Sequence, residues 1–172
     1  LRQVLKLLDA AQARLLLKAL ASDPANIRLV LRGVGMAGDP HYVPWLIKQM
    51  NQTKLARLAA ESFSLITGLD LAKLDLDQDQ PEAFASGPSD NPEDTEVGMD
   101  PDDNLAWPDF SKIGNWWRAN QSRFSVGERY FMGQPANPQN CRDVLRAGYQ
   151  RQRLAAAEHL CLLQPGTPLF PT

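Results

Sequence analysis

Three aspartates at alternate positions, Asp75, Asp77 and Asp79, set carboxylates where a calcium loop begins, because hard cations are held by closely spaced oxygen ligands. The pattern then departs from that chemistry. Gln80 stands at the sixth position, where glycine makes the sharp turn, and Ser86 at the twelfth, where a bidentate glutamate closes the loop. Divalent-cation binding by this stretch is therefore a secondary expectation, and no metal ligand is assigned. His41 and His159 have no cysteine or acid at zinc-ligand spacing. Cys141 and Cys161 fall on apolar helical faces, where a free thiol behaves as a small hydrophobe. Neither is paired with a general base, and Gly33, Gly35 and Gly38 lie in and at the end of a helical stretch with no phosphate-loop spacing. The sequence assigns no catalytic residue and no cofactor, and the chain is expected not to be an enzyme.

The residues that could recognise a partner are aromatic and basic. Seven of the thirteen aromatics lie between Trp107 and Phe131. They could form a dense core joining two helical parts, or line a peptide-binding groove. Trp116 and Trp117 are neighbours and so point about 100° apart on a helix, which leaves one of them as the expected exposed contact. Arg118, Arg123, Arg129, Arg142, Arg146, Arg151 and Arg153 make the C-terminal part basic. Trp116, Trp117, Arg142, Arg146 and Arg153 are the candidate partner-binding residues.

The 172 residues carry 18 Lys+Arg and 20 Asp+Glu, a formal charge of −2 that conceals an asymmetry. From Asp70 to Asp103 twelve acids face one base, Lys73, a local charge of −11 that leaves +9 on the remainder. Prolines and glycines punctuate that stretch, which reads as a long loop between helical parts, either a solvated connector or a segment folding back on the basic surface. Nucleic acid as a partner through the basic helical face is disfavoured by the acidic competitor and by an isoelectric point near 5.7. No apolar run reaches membrane-spanning length, two cysteines make no disulfide framework, and a cytoplasmic protein is expected. The chain starts at Leu1 with no signal segment, as expected of a portion of something longer.

Elsewhere the apolar spacing is helical. Leu1, Val4, Leu5 and Leu8 share one face, and Asp9 can cap a second helix carrying Leu15, Leu16, Ala19 and Leu20. Asp23-Pro24, Asp39-Pro40 and Asn137-Pro138 each join a capping side chain to a proline suited to the first turn. Gly38 and Gly68 are stop signals. A helix begins near Thr53, another at Asp109 or Ser111, and a last one runs from about Tyr149 to Leu163, with Arg129 to Met132 extended between them. Helices of this length on short turns pack antiparallel.

Ile27 to Met50 and Lys54 to Gly68 resemble HEAT-like repeats of the phycobilisome-lyase-like kind through Gly38-Asp39-Pro40, Val43-Pro44-Trp45-Leu46 and Arg57-Leu58-Ala59-Ala60. Arg151 to Gly166 is similar to a further alanine-rich repeat helix. Glu61 to Leu71, the acidic stretch, Leu105 to Asp109, Trp116-Trp117, Arg123 to Pro135 and Ala147 to Phe170 together resemble an uncharacterised bacterial HEAT-like family whose members are sometimes encoded beside type VI secretion components. The resemblance implies an all-α fragment of an α-solenoid, with HEAT-like repeats over 1–69, an acidic loop insert over 70–104 and an aromatic-rich helical part over 105–172. It implies a non-catalytic protein-interaction scaffold or adaptor, with a secretion-related helper role, whose protein partner is not identified and whose mechanism is presentation of a helical surface.

Overall fold

A computed structural model describes residues 1–82, 84, 93, 98, 100–164 and 166. These are mostly helical, as the apolar periodicity requires, and no helix among them is long and apolar enough to cross a membrane. Helix α1 (Arg2–Leu7) turns at Leu8 into α2 (Ala10–Leu20), whose first turn is closed by the Asp9 carboxylate accepting the Gln12 amide while the Gln12 side chain accepts the Asp9 amide. Both Asp-Pro pairs differ from the expected direct helix start. The Asp23 carboxylate accepts the Ala25 amide and the Asp39 carboxylate the His41 amide, two residues on. That short reach winds a tight 3-10 turn before α3 (Ile27–Ala37) and before α4 (Val43–Gln49).

Helix α5 (Thr53–Thr67) lies at the centre and buries most of its surface, including Leu58, Ala59, Phe63 and Ile66. Three residues join it to α4, against which it packs antiparallel. It runs parallel to α3. Arg28 bonds to the Lys54 carbonyl where both helices begin, the Ser62 hydroxyl donates to the Leu31 carbonyl near their middles, and Gly35 lies against Ser62. Any side chain at Gly35 would press on the Ser62 backbone, so glycine sets the spacing of this pair.

A short hairpin, β1 (Asp77–Gln78) with β2 (Trp107–Pro108), clamps the ends of the acidic segment together. After α6 (Phe110–Asn120), capped by Asp109, a second hairpin forms from β3 (Tyr130–Phe131) and β4 (Gln134–Pro135). Its first strand crosses the C-terminal ends of α3 and α5, where the Tyr130 amide donates to the Gly38 carbonyl and the Met132 and Gly133 amides to Leu65 and Ile66. Gly38 and Gly68 end those helices at φ +70° and +75° with the strand packed against their Cα atoms, so left-handed geometry and close approach both demand glycine.

Arg129, entering the same strand, donates to the carbonyls of Leu5, Lys6 and Leu8 at the end of α1 and of Ala37 at the end of α3. One strap thus satisfies the exposed carbonyls of three helices. The chain finishes with α7 (Pro138–Ala147), capped by Asn137, and α8 (Gln150–Leu163), packed on each other around Phe131, Cys141, Val144, Ala156 and Leu160. The larger core runs from Leu5 through α5 to Ile113, Trp117, Phe124 and Tyr130.

Candidate functional site

Two adjoining clefts of about 380 Å³ each lie along α5 and α8, one walled also by the segments 69–72 and 104–106 and the other by α1 and α3. Helical spacing builds them. Leu29, Arg32 and Met36 recur on α3 at one-turn intervals, Glu61 and Leu65 on α5, and Arg151, Leu154 and Glu158 on α8. Glu61, Leu65 and Arg151 line both clefts, and the Arg151 guanidinium reaches both Glu61 oxygens at 3.1 and 3.2 Å, so this ion pair forms the ridge between them. The cleft at the start of α8 also takes Leu69, Asp70 and Leu105, with the Tyr149 hydroxyl donating to Asp70 at 2.9 Å across its mouth. That hydrogen bond and the Asp70 charge raise the Tyr149 pKa.

The second cleft is more basic. Arg2 and Lys6 both pair with Glu158, at 3.0 and 2.5 Å. Lys6 is buried; desolvation lowers its pKa while Glu158 works against the fall. Behind Lys6, burial pushes the Cys141 thiol up to about 11, and the nearby Lys6 and Arg142 charges offset only part of that. Burial, then the Lys6 and Arg129 charges, pushes His159 down to about 3, with its ring 4.9 Å from that of Phe131. Both groups are neutral near pH 7, so the thiol is a poor nucleophile and the imidazole a poor base.

The end of the acidic segment is built into the helical body. Arg28 holds both Asp102 oxygens at 2.7 Å, and Arg57 donates to the Asp102 carbonyl at 2.9 Å and pairs with Asp100. Burial would raise the Asp100 carboxyl, but the bonds from Arg57 and the Asp102 amide and the charges of Arg57 and Arg28 outweigh it, and its pKa lies below the usual value. The Arg57 guanidinium carbon also lies 4.5 Å from the Trp107 ring centre and 5.0 Å from that of Phe84, beside the edge-to-face contact those two rings make with each other. At the other end Asp75 pairs with Lys112 at 3.1 Å and Asp77 enters β1. No group of three acids, histidines or cysteines among the described residues is placed to hold a metal ion. Ser86, the last position of the calcium-loop reading, and most of 83–99 lie outside the described residues.

The sequence-derived partner residues are not gathered in one place. Trp117 is buried at 7% exposure and Trp116 is half-buried against Phe63 and Phe124, so neither is the exposed contact expected from their 100° separation. Phe124 and Tyr130 fold back over this side of α6 and cover it. Arg142 donates to Gln164, Arg146 is exposed beside Asp143, and Arg153 is half-buried on α8. Sequence reasoning missed Arg32, Glu61 and Glu158. The signals available were the one-turn pairs Arg28/Arg32 and Arg57/Glu61, which are indistinguishable in sequence from an ordinary solvated face. Compared with protein-family models, with curated proteins and with solved structures, the chain matches none.

Proposed function

We propose that the chain is a non-catalytic protein-interaction scaffold or adaptor, made of HEAT-like helical pairs and acting in the cytoplasm as a secretion-associated helper. The observation that carries the interaction reading is the pair of adjoining clefts on either side of the Glu61–Arg151 bridge, where apolar residues alternate with charged residues of α1, α3, α5 and α8. Surfaces of that make-up suit a protein segment, which anchors apolar side chains and satisfies charges at the edge. The parallel alignment of α3 and α5, with α4 returning between them in sequence, supports the repeat reading. The neutral states of Cys141 and His159 support a non-catalytic one. Metal-responsive and nucleic-acid readings draw no comparable support, since Asp75 pairs with Lys112, no group of three acids, histidines or cysteines among the described residues is placed around a cation, and Arg129 and Arg142 bond to other parts of the chain.

A photo-crosslinking amino acid placed at Ser64 or Leu154, in the clefts, should give a discrete protein adduct in the bacterial host. The same probe at Lys48 or Gln121 should not. Equal adducts at all four positions, or none at the first two, would remove the scaffold reading.

A further inference from the structure

We infer that the cleft between α3, α5 and α8 receives an acidic, leucine-bearing segment of a partner protein, with Arg32 as the cation that reads its carboxylate; this rests on the scaffold reading above. Charge gives the first reason. Four cations, Arg2, Lys6, Arg32 and Arg151, line the cleft against two carboxylates, Glu61 and Glu158. Arg2 and Lys6 share Glu158 and Arg151 takes Glu61, whereas Arg32 is exposed and makes no hydrogen bond or ion pair with the described residues. A basic segment would add to that surplus, whereas an acidic one offsets it.

The second reason is that the same helices already hold a short acidic segment in cis. Asp100-Pro101-Asp102 lies across the first turns of α3 and α5, with Arg28 on one carboxylate and Arg57 on the other, and Pro101 forms the end wall of the cleft. Arg32 follows Arg28 by four residues, about 6 Å along the same helix face. A segment entering the cleft beside Pro101 meets the same chemistry one turn further on. Its apolar side chains would rest on Leu29, Met36 and Leu154, of which Leu29 is 40% exposed.

The test is fluorescence anisotropy with a labelled peptide of about 12 residues that alternates pairs of Asp and Leu. Two controls replace every Asp by Lys or every Leu by Ser. The acidic leucine peptide should bind, both controls should bind at least about tenfold more weakly, and Arg32→Glu should lower affinity about tenfold with an unchanged melting temperature. Lys48→Glu, an equal change of charge on α4, should leave affinity unchanged. The inference is overturned if the lysine peptide binds as well as the acidic one, or if the two variants weaken binding equally. If the Leu154 crosslink instead captures a segment free of acids, this inference fails while the scaffold reading stands; if the cleft positions crosslink nothing, both fail.

Discussion

Arg129 and Arg146 lie seventeen residues apart in the same basic part of the chain, and the fold treats them in opposite ways. Arg129 spends its donors on four main-chain carbonyls and joins α1 to α3. Arg146 stands in solvent with 76% of its side chain exposed, 3.6 Å from the equally local Asp143. Arg57 belongs with the first, buried against Asp100, Asp102, Trp107 and Phe84, and Arg32 with the second. A guanidinium is a charge in the sequence, but in the fold its role depends on how many of its donors are already engaged. Saturated arginines hold the body together, and unsaturated ones remain available to a partner.

The largest effect that could break this contrast is expected at Arg129. Arg129→Ala should cost about 3 kcal/mol in urea unfolding, because charge-assisted hydrogen bonds to carbonyls at two helix ends are lost together. Arg129→Lys should recover only part of this, since one ammonium cannot span carbonyls on two helices. A loss below about 1 kcal/mol would mean the strap is not what ties the helices together.

An intermediate effect comes from protons. His159 is buried with a pKa of about 3 against an ordinary 6.5, so the unfolded chain takes up a proton between those values that the folded one refuses. Stability contributed by the neutral ring is therefore full above about pH 6.5 and falls as pH drops towards 3, by about 2 kcal/mol between pH 7 and pH 5. His159→Leu should flatten that part of the stability profile. An unchanged slope in the variant would place the acid sensitivity elsewhere. The smallest effect is expected at Arg146, where Arg146→Ala should shift stability by no more than about 0.5 kcal/mol, and a larger change would erase the distinction between the two classes.

Most helices were legible because their signals are local. Asp9 and Asn137 cap where their spacing placed them, Asp109 is the cap of the two candidates Asp109 and Ser111, and Gly38 and Gly68 stop α3 and α5. The 3-10 turns at Asp23-Pro24 and Asp39-Pro40 were not, because the choice between a two-residue and a three-residue reach of the aspartate leaves no mark on the sequence. The stretch at Arg129 to Met132 was legible as extended only in part, since the strand is Tyr130–Phe131 and Met132 turns at φ +51°, and its partners on α1, α3 and α5 lie more than sixty residues away. Distance in sequence also hid the site. Arg142, Arg146 and Arg153 stood out by density, whereas the cleft is assembled from one or two charges on each of four separated helices, and Glu61 meets Arg151 across ninety positions. An exposed contact was expected at one of Trp116 and Trp117 because a helix viewed alone has an outer face; here Phe124 packs on both rings.

The central claim is that recognition occurs in the cleft between α3, α5 and α8. Hydrogen exchange of the full chain, with and without the acidic leucine peptide, tests it most directly. The account expects slowed exchange over 29–36, 61–65 and 151–158, with 138–147 unchanged. Slowing confined to 138–147, or none along α3 at a saturating peptide concentration, would contradict it.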